Sequence, residues 1–269
     1  MKAKRQFGLH AYPFPKDAKG KTFFDKTPSY ARLERAFGHL VEDPGLAVLT
    51  SDPGVGKTAA VRNLCSKLPQ PDYMTIYLCD TAIAPLDLYR SLALEIGVRP
   101  SHRRSQLWAD LKKALVHMVD ERANHPIVVI DEAQHLSDSF LLDLGGFLNF
   151  AFDSRDLFTL WLVGLPPLSR RLRQLQHAAL LTRIATEVRM EPLDRETFAL
   201  ALDHSFKAAG ASSKMLSEQA AEILFRSSRG ILRLAARLVR SSLRIAQERG
   251  QTFLDEPIVQ AALDETSVP

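Results

Sequence analysis

The sequence predicts an α/β fold, with a five-stranded parallel sheet flanked by helices and a small all-helical part at the C-terminal end. Three observations carry this prediction. Short apolar runs alternate with helical patterns from Leu46 to Met190, as strand–helix–strand units do. One run, Ile127-Val128-Val129-Ile130, consists of four consecutive β-branched residues and reads as a strand buried on both faces, which is what parallel sheets require. After about Pro192 the strand patterns stop and only helical ones continue.

In chain order, residues 1–45 read as an arm and a first helix. Pro13, Pro15, Lys16, Lys19, Gly20 and Lys21 make a basic, irregular stretch, and a helix follows from Pro28 to about Val41. Strands are expected near 46–50, 73–79, 126–131, 157–163 and 186–190. Helical patterns separate them at 57–68, 86–96, 105–123, 138–152 and 167–176. Gly97 ends one helix and Ser105 caps the next. Helices at 194–209, 217–228, 231–249 and 256–265 form the last part, with Gly210 and Gly250 where helix C-terminal glycines belong. The organisation is an arm and first helix (1–45), an α/β core (46–192) and a helical lid (193–269).

At 269 residues with 46% hydrophobic content, the chain can bury a substantial core as one large domain or one domain plus a small one. It has no run of about 18 apolar residues, so no membrane span is expected. The basic start Met1-Lys2-Ala3-Lys4-Arg5-Gln6 leads into no apolar signal core. Cys65 and Cys79 fall in a predicted helix and strand. They read as buried free thiols in a reducing cytoplasm, and they lack metal-ligand spacing. The formal net charge of +4 is compatible with nucleic acid.

The chemistry is concentrated in two segments. Val48-Leu49-Thr50-Ser51-Asp52-Pro53-Gly54-Val55-Gly56-Lys57-Thr58 reads as an apolar strand, a small-residue loop and a helix start. That is the geometry of a nucleoside-triphosphate P-loop, in which backbone N–H groups and a helix N-terminus converge on phosphate. Asp52, Pro53, Gly54, Val55, Gly56, Lys57, Thr58 and Ala59 would surround ATP. Lys57 would reach the β- and γ-phosphates, and the Thr58 hydroxyl would bind Mg²⁺. Ser51 stands where the usual G-x-x-x-x-G-K-[ST] pattern has its first Gly. That position ends the strand, and the closest backbone approach to phosphate falls at Gly54 and Gly56, so the change is expected to be tolerated. The second segment is His125-Pro126-Ile127-Val128-Val129-Ile130-Asp131-Glu132-Ala133-Gln134. Its carboxylates follow the strand's C-terminal end, where open α/β sheets place ligands. Asp131 would hold the Mg²⁺ shell and Glu132 would polarise the attacking water.

D-E-A-Q after an apolar strand points to the AAA+ class of P-loop NTPases. The chain resembles the bacterial ExeA-type AAA+ ATPases and, within them, the ATP-dependent regulators of DNA transposition (TniB, TnsC and MuB-like proteins). The resemblance rests on Phe7-Gly8-Leu9 with Tyr12-Pro13-Phe14, the P-loop, Val129 to Leu136, the strand ending Trp161-Leu162-Val163-Gly164, and Gly230-Ile231-Leu232-Arg233. It implies that the C-terminal helices are an AAA+ lid and that Arg233 reads the γ-phosphate from it. Leu232 stands where the family's Gly-x-Pro-Arg has Pro, which concerns turn stiffness rather than charge. It also implies an arginine that reaches the neighbouring subunit's ATP, worth about 10³–10⁵ in rate. Arg183, after Leu180-Leu181-Thr182, is the favoured candidate, with Arg170, Arg171 and Arg173 close by. Phe14 and Tyr30 would contact the adenine or pack in the core. Where family members carry Gly-Gln-Pro after the fourth strand, this chain has Gly164-Leu165-Pro166. Thr159 and Ser169 do not fit the position, and slow, regulatory turnover is the expectation.

Two basic clusters bear on partners. Arg99, His102, Arg103, Arg104, Lys112 and Lys113 fall in the loop and helix between the second and third strands. In transposition regulators that region lines the oligomer and touches the duplex backbone. Arg and Lys without interleaved aromatic residues suit phosphate contact; a solvated loop is the alternative. Arg229, Arg233, Arg237, Arg240 and Arg244 share one helix face. Beyond Arg233 this reads as a solvated or subunit-contact face, with DNA contact as the lesser alternative and Ile231, Leu234, Leu238 and Ile245 packing into the lid. The function implied by the resemblance is an ATP-dependent, DNA-binding regulator of transposition. It would oligomerise on duplex DNA as a ring or helical filament and recruit or activate a transposase. Alternatives are an ExeA-type secretion ATPase, expected to carry a membrane span and a wall-binding domain after the lid, a non-hydrolysing signalling switch, and a replication loader. The last residues, Glu265 to Pro269, are a candidate contact for the partner.

Overall fold

Five short apolar runs become the strands β1 (Leu46–Thr50), β2 (Tyr73–Leu78), β3 (His125–Ile130), β4 (Thr159–Gly164) and β5 (Ile184–Arg189). The computed structural model describes residues 6–266, so most of the basic start and the last three residues of the candidate partner contact lie outside the described residues. All ladders are parallel and the order is β2-β3-β4-β1-β5. Burial follows position in the sheet: β1 and β4 are buried throughout, whereas the edge strands β2 and β5 are mostly half-buried or exposed, with only Ile76, Leu78 and Val188 buried. The register pairs Thr50 with Gly164 and Leu78 with Ile130. Ser51, Asp131 and Leu165 therefore leave the sheet along one C-terminal edge.

Helices α1 (Pro28–Glu42), α2 (Lys57–Cys65), α3 (Pro85–Glu95), α4 (Arg104–Asp120), α5 (Asp138–Phe147), α6 (Pro167–Leu172) and α7 (Ala178–Leu181) interleave with the strands. α3 packs on β2 and α4 on β3. Their apolar faces close a core with Leu46, Val48, Val128, Ile130, Leu160 and Leu162. The alternate strand residues point to the other face, where Phe37 of α1 stacks on Trp161 at 5.9 Å and the Thr159 hydroxyl donates to Leu40 O.

The chain divides into two compact units. One is the sheet unit just described, Arg32–Ser51 with Leu64–Met190. The other gathers the residues up to Ala31, the loop segment Asp52–Asn63 and everything from Glu191 onward. Its helices are α8 (Arg195–Ala208), α9 (Glu218–Ser228), α10 (Leu232–Glu248) and α11 (Glu256–Thr266). Asp194 and Ser217 cap α8 and α9 by accepting from Thr197 N (2.8 Å) and Ala220 N (3.1 Å). Phe7 and Leu9 of the arm join the lid core around Phe198, Leu224, Val239 and Ile258.

Several expectations need correction. The helix expected over 138–152 ends at Phe147; Phe150 is already extended (φ −118°, ψ 147°), and Ala151, Phe152 and Asp153 then take successive φ values of +47, +58 and +66°. The helix expected over 167–176 breaks into α6, a 3-10 turn (Leu175–His177) and α7. Ser105 does not cap α4; it lies inside the first turn, Arg103 is the N-cap, and no side chain caps it. The Arg104 guanidinium instead braces that turn, 4.3 Å over the Trp108 ring and 2.8 Å from Asp143. Cys65 is buried, and desolvation pushes its thiol up to about 11, but Cys79 falls just past the end of β2 and is exposed. Leu234 is 41% exposed, because the buried stripe of α10 runs through Ala235, Leu238, Val239 and Ser242.

Candidate nucleotide site

Within the lid-bearing unit, the loop after β1 is shaped by glycine. Gly54 and Gly56 have φ of +85 and +121°, which L side chains rarely adopt. Ala60 N donates to Gly56 O (2.9 Å) as α2 begins at Lys57. Lys57 is only 8% exposed. The start of α10 sits directly on this loop. Arg233 N donates to Gly54 O (3.1 Å), and a Cβ at Gly54 would stand 2.8 Å from Arg233 Cβ and 3.0 Å from Ile231 Cγ2. Leu232, in place of the resemblance's Pro, lies 4.0 Å from where a Gly56 Cβ would be. Loop amides at a helix start, a lysine and a lid arginine form a donor set that fits a triphosphate.

The N-terminal arm is fastened to the same helix. Asn63, 1% exposed, accepts from Gly20 N (2.9 Å) and donates to Tyr30 Oη (2.8 Å). Tyr30 is 2% exposed and packs 5.1 Å from the Phe23 ring. Phe14 has φ +53°, donates its N–H to Ser205 Oγ and accepts from Arg240 Nη2 (3.1 Å). Both aromatic side chains pack: Phe14 is partly buried against the lid core and Tyr30 is buried.

In the sheet unit, β3 delivers Asp131 and Glu132 to the C-terminal edge. Asp131 is 3% exposed; its Oδ1 accepts from Glu132 N (2.9 Å) and its Oδ2 from Tyr77 Oη (2.9 Å). Desolvation and the hydrogen bond to Asp131 push ionisation of the Tyr77 phenol above its usual range, so Tyr77 remains a donor. Glu132 takes a left-handed backbone, φ 53° and ψ 34°, a conformation that costs about 1–3 kcal/mol and concentrates at functional sites. The Thr81 hydroxyl holds its carbonyl at 2.9 Å, and the carboxylate-bearing residue itself is exposed. Oxygen donors of this kind suit Mg²⁺, which is bound through one or two carboxylates plus substrate phosphates. No group of three or more His, Cys, Asp and Glu among the described residues could hold an ion alone. Ser51, 0% exposed, extends the β1 ladder by donating to Gly164 O (3.3 Å) and stays outside the left-handed region, so no glycine is needed there.

The sequence reading missed Gln134. Its Nε2 donates to Glu132 Oε2 (2.7 Å), and its Oε1 accepts from Leu165 N (2.9 Å) just past β4. A Cβ at Gly164 would stand 2.7 Å from that Oε1. The side-chain amide beside Gly164-Leu165-Pro166, where this chain lacks the resemblance's Gln, is thus that of Gln134 from the acidic segment. The available signals were the Gln of DEAQ and the missing Gln after Gly164.

The arginines sort by partner. Arg171 donates to Gln134 O (2.9 Å), Leu136 O (2.8 Å) and Asp138 Oδ1 (2.6 Å). Arg173 pairs with Glu187 (2.7 Å) and Arg183 with Asp153. In the first basic cluster, Arg99, His102, Arg103 and Lys113 are exposed and make no ion pair among the described residues. Arg104 is engaged with Trp108 and Asp143. Lys112 donates to Asn149 O (2.7 Å) and Gly146 O (3.4 Å), 4.7 Å over the Phe150 ring. The second stripe does not share one helix face, because Arg229 is left-handed (φ 51°) before α10 begins at Leu232; within α10, Arg244 is exposed and pairs with Glu248 and Glu265, whereas Arg240 is partly buried and holds the arm.

Comparison with known proteins follows the same lines. Residues 41–172 match the family model described as an AAA domain. General secretion pathway protein A of Aeromonas hydrophila is 26% identical over 246 residues, which is 91% of this chain and 45% of that protein. The chain thus spans less than half the length of this relative. Among solved structures, Cdc6p of Pyrobaculum aerophilum superposes with a TM-score of 0.71 at 18% identity, covering 97% of this chain and 70% of that one. The ORC1 protein of Aeropyrum pernix, solved in complex with DNA, gives 0.69 at 18% identity, covering 90% and 66%. At these identities the likeness is one of fold.

Proposed function

We propose that this AAA-type P-loop ATPase is an ATP-dependent, DNA-binding regulator of DNA transposition. ATP binding assembles copies of the chain on duplex DNA, and the assembly recruits or activates a transposase. The observation that carries the reading is the contact of Arg233 and Ile231 with Gly54. It makes the start of a lid helix part of the phosphate loop, so that nucleotide state is transmitted to the lid. In this reading Lys57 binds the β- and γ-phosphates, Thr58 and Asp131 are the Mg²⁺ ligands, Arg233 reads the γ-phosphate and Glu132 polarises water. Mg²⁺ supplies charge neutralisation on the phosphates when bound. Arg183, now on Asp153, is the arginine offered to a neighbouring copy.

The DNA contact is assigned to Arg99, His102, Arg103 and Lys113, which are exposed and make no ion pair among the described residues. It takes phosphate rather than base edges. The test is duplex binding with no nucleotide, ADP, ATP–Mg²⁺ and a non-hydrolysable analogue, with oligomer size followed in the same samples. Binding and assembly that require the triphosphate are expected. Replacing Arg99 and Arg103 with Ala should weaken binding to all sequences and lower the salt slope by roughly 2. A transposase that co-purifies only with the ATP-bound assembly is the expected partner.

One finding favours a second reading: the curated relative is a general secretion pathway protein. Assembly with ATP but without DNA binding would move the function to a secretion or protein-remodelling ATPase. Among the described residues no helix is long and apolar enough to cross a membrane.

A further inference from the structure

We propose that Gln134 is the positioning residue of the hydrolytic step: its amide fixes the Glu132 carboxylate to the end of β4. This rests on the reading that Glu132 polarises the attacking water. Three observations point to it. The amide is used at both ends, donating to Glu132 Oε2 (2.7 Å) and accepting from Leu165 N (2.9 Å). Room for it is built in, since any side chain at Gly164 would begin 2.7 Å from Gln134 Oε1 and 3.2 Å from Gln134 N. The residue is also anchored from behind. Arg171 donates to Gln134 O (2.9 Å) and is itself fixed by Leu136 O and by Asp138, which accepts from Arg171 (2.6 Å) and contacts the fully buried His177 (3.2 Å).

The chemistry follows from the geometry. Glu132 is exposed and its side chain would otherwise sample several rotamers. Its backbone is fixed in the left-handed region by the Thr81 bond and by the N–H donated to Asp131. The Gln134 bond occupies Oε2 and selects one rotamer, leaving Oε1 for a water proton. An amide suits this task because it donates to the carboxylate and accepts from the main chain at the same time. A carboxylate, a methionine or an alanine can do at most one of these.

Three variants separate positioning from scaffolding. Gln134→Glu keeps the acceptor for Leu165 N–H but cannot donate to ionised Glu132. Gln134→Ala loses both bonds. Glu132→Gln removes the base. Hydrolysis of γ-labelled ATP–Mg²⁺ is followed under single-turnover conditions with the full chain in excess, so that slow chemistry is still read. ATP affinity and thermal midpoint are measured on the same samples. We expect both Gln134 variants to lose about tenfold to a hundredfold in rate, the range for a hydrogen bond to a charged group, with ATP affinity within twofold of the parent. A Gln134→Glu rate equal to the parent's, beside a Gln134→Ala loss, makes Gln134 a scaffold and overturns the proposal. Loss of ATP affinity in step with rate overturns it too. If Glu132→Gln hydrolyses like the parent, or the parent does not hydrolyse ATP, the reading of Glu132 itself fails.

Discussion

Two glycines in the lid unit have almost the same backbone but different surroundings. Gly230 has φ +73° and Gly250 has φ +68°. Placing Ala at either position costs about 1–2 kcal/mol for the left-handed conformation. At Gly250 that is the whole cost, because nothing lies within 4 Å of the added Cβ. At Gly230 the Cβ would fall inside the van der Waals envelope of Leu193 O and within 2.9 Å of Leu193 C and N. These are backbone atoms, so no rotamer change relieves the overlap. The Leu193 N–H to Gly230 O bond (3.1 Å) must then open, at about 1 kcal/mol, and the residual crowding adds about 1–3 kcal/mol. Gly230→Ala should therefore cost about 3–6 kcal/mol and Gly250→Ala about 1–2 kcal/mol. Urea denaturation followed by circular dichroism measures both, and a thermal scan should separate the two midpoints by roughly 4–8 °C or more. Gly230 also sets the start of α10, so its variant should bind ATP more weakly while Gly250→Ala binds normally. Equal destabilisation of the two variants would refute the steric argument and leave only the φ term.

Other predictions are simpler. Cys79 should react with a thiol reagent in the native protein at pH 7.5, whereas Cys65, with its ionisation pushed up to about 11 by burial, should react only after denaturant is added. Arg171 holds the Asp138 carboxyl below its usual value of 3.8. A depressed carboxylate contributes stability above its unfolded value and loses it as pH falls through the folded one. Denaturation midpoints of the parent and Asp138→Asn should thus differ most near pH 6 and converge below pH 3.8. Lys112→Met should lower stability by about 1 kcal/mol through lost bonds to main-chain carbonyls and leave DNA affinity unchanged, in contrast to Arg103→Ala.

The sheet was legible because burial writes itself into β-branched runs. β1 and β3 fall within one residue of their expected ranges, since a strand enclosed on both sides has little choice of composition. Helix ends were less legible for a different reason. Between Phe147 and Thr159 the chain turns through three left-handed, non-glycine residues, Ala151, Phe152 and Asp153. Nothing in their composition marks that conformation, and it is held by tertiary bonds such as Arg183 to Asp153. Cys79 was misplaced by the same kind of boundary error, one residue beyond a strand end.

The candidate site shows where local patterns stop carrying information. Lys57, Thr58, Asp131 and Glu132 could be nominated from sequence because phosphate and metal chemistry restrict residue type at fixed offsets from a strand. Lys112 and Arg104 could not be separated from Arg99 and Arg103 in that way. All four are cations in one basic stretch, and only the structure shows that Lys112 closes carbonyls near Phe150 and that Arg104 lies over Trp108. Gln134 is the sharper case. The position where the resemblance has Gln is Leu165 here, and the amide that meets its main-chain N–H comes from beyond the neighbouring strand, because Gly164 leaves room for the Gln134 side chain to reach Leu165 N. Sequence position records which strand a residue follows. A hydrogen-bonding role is set by which atoms converge at a sheet edge, and adjacent parallel strands can exchange that role without any trace in the spacing of either motif.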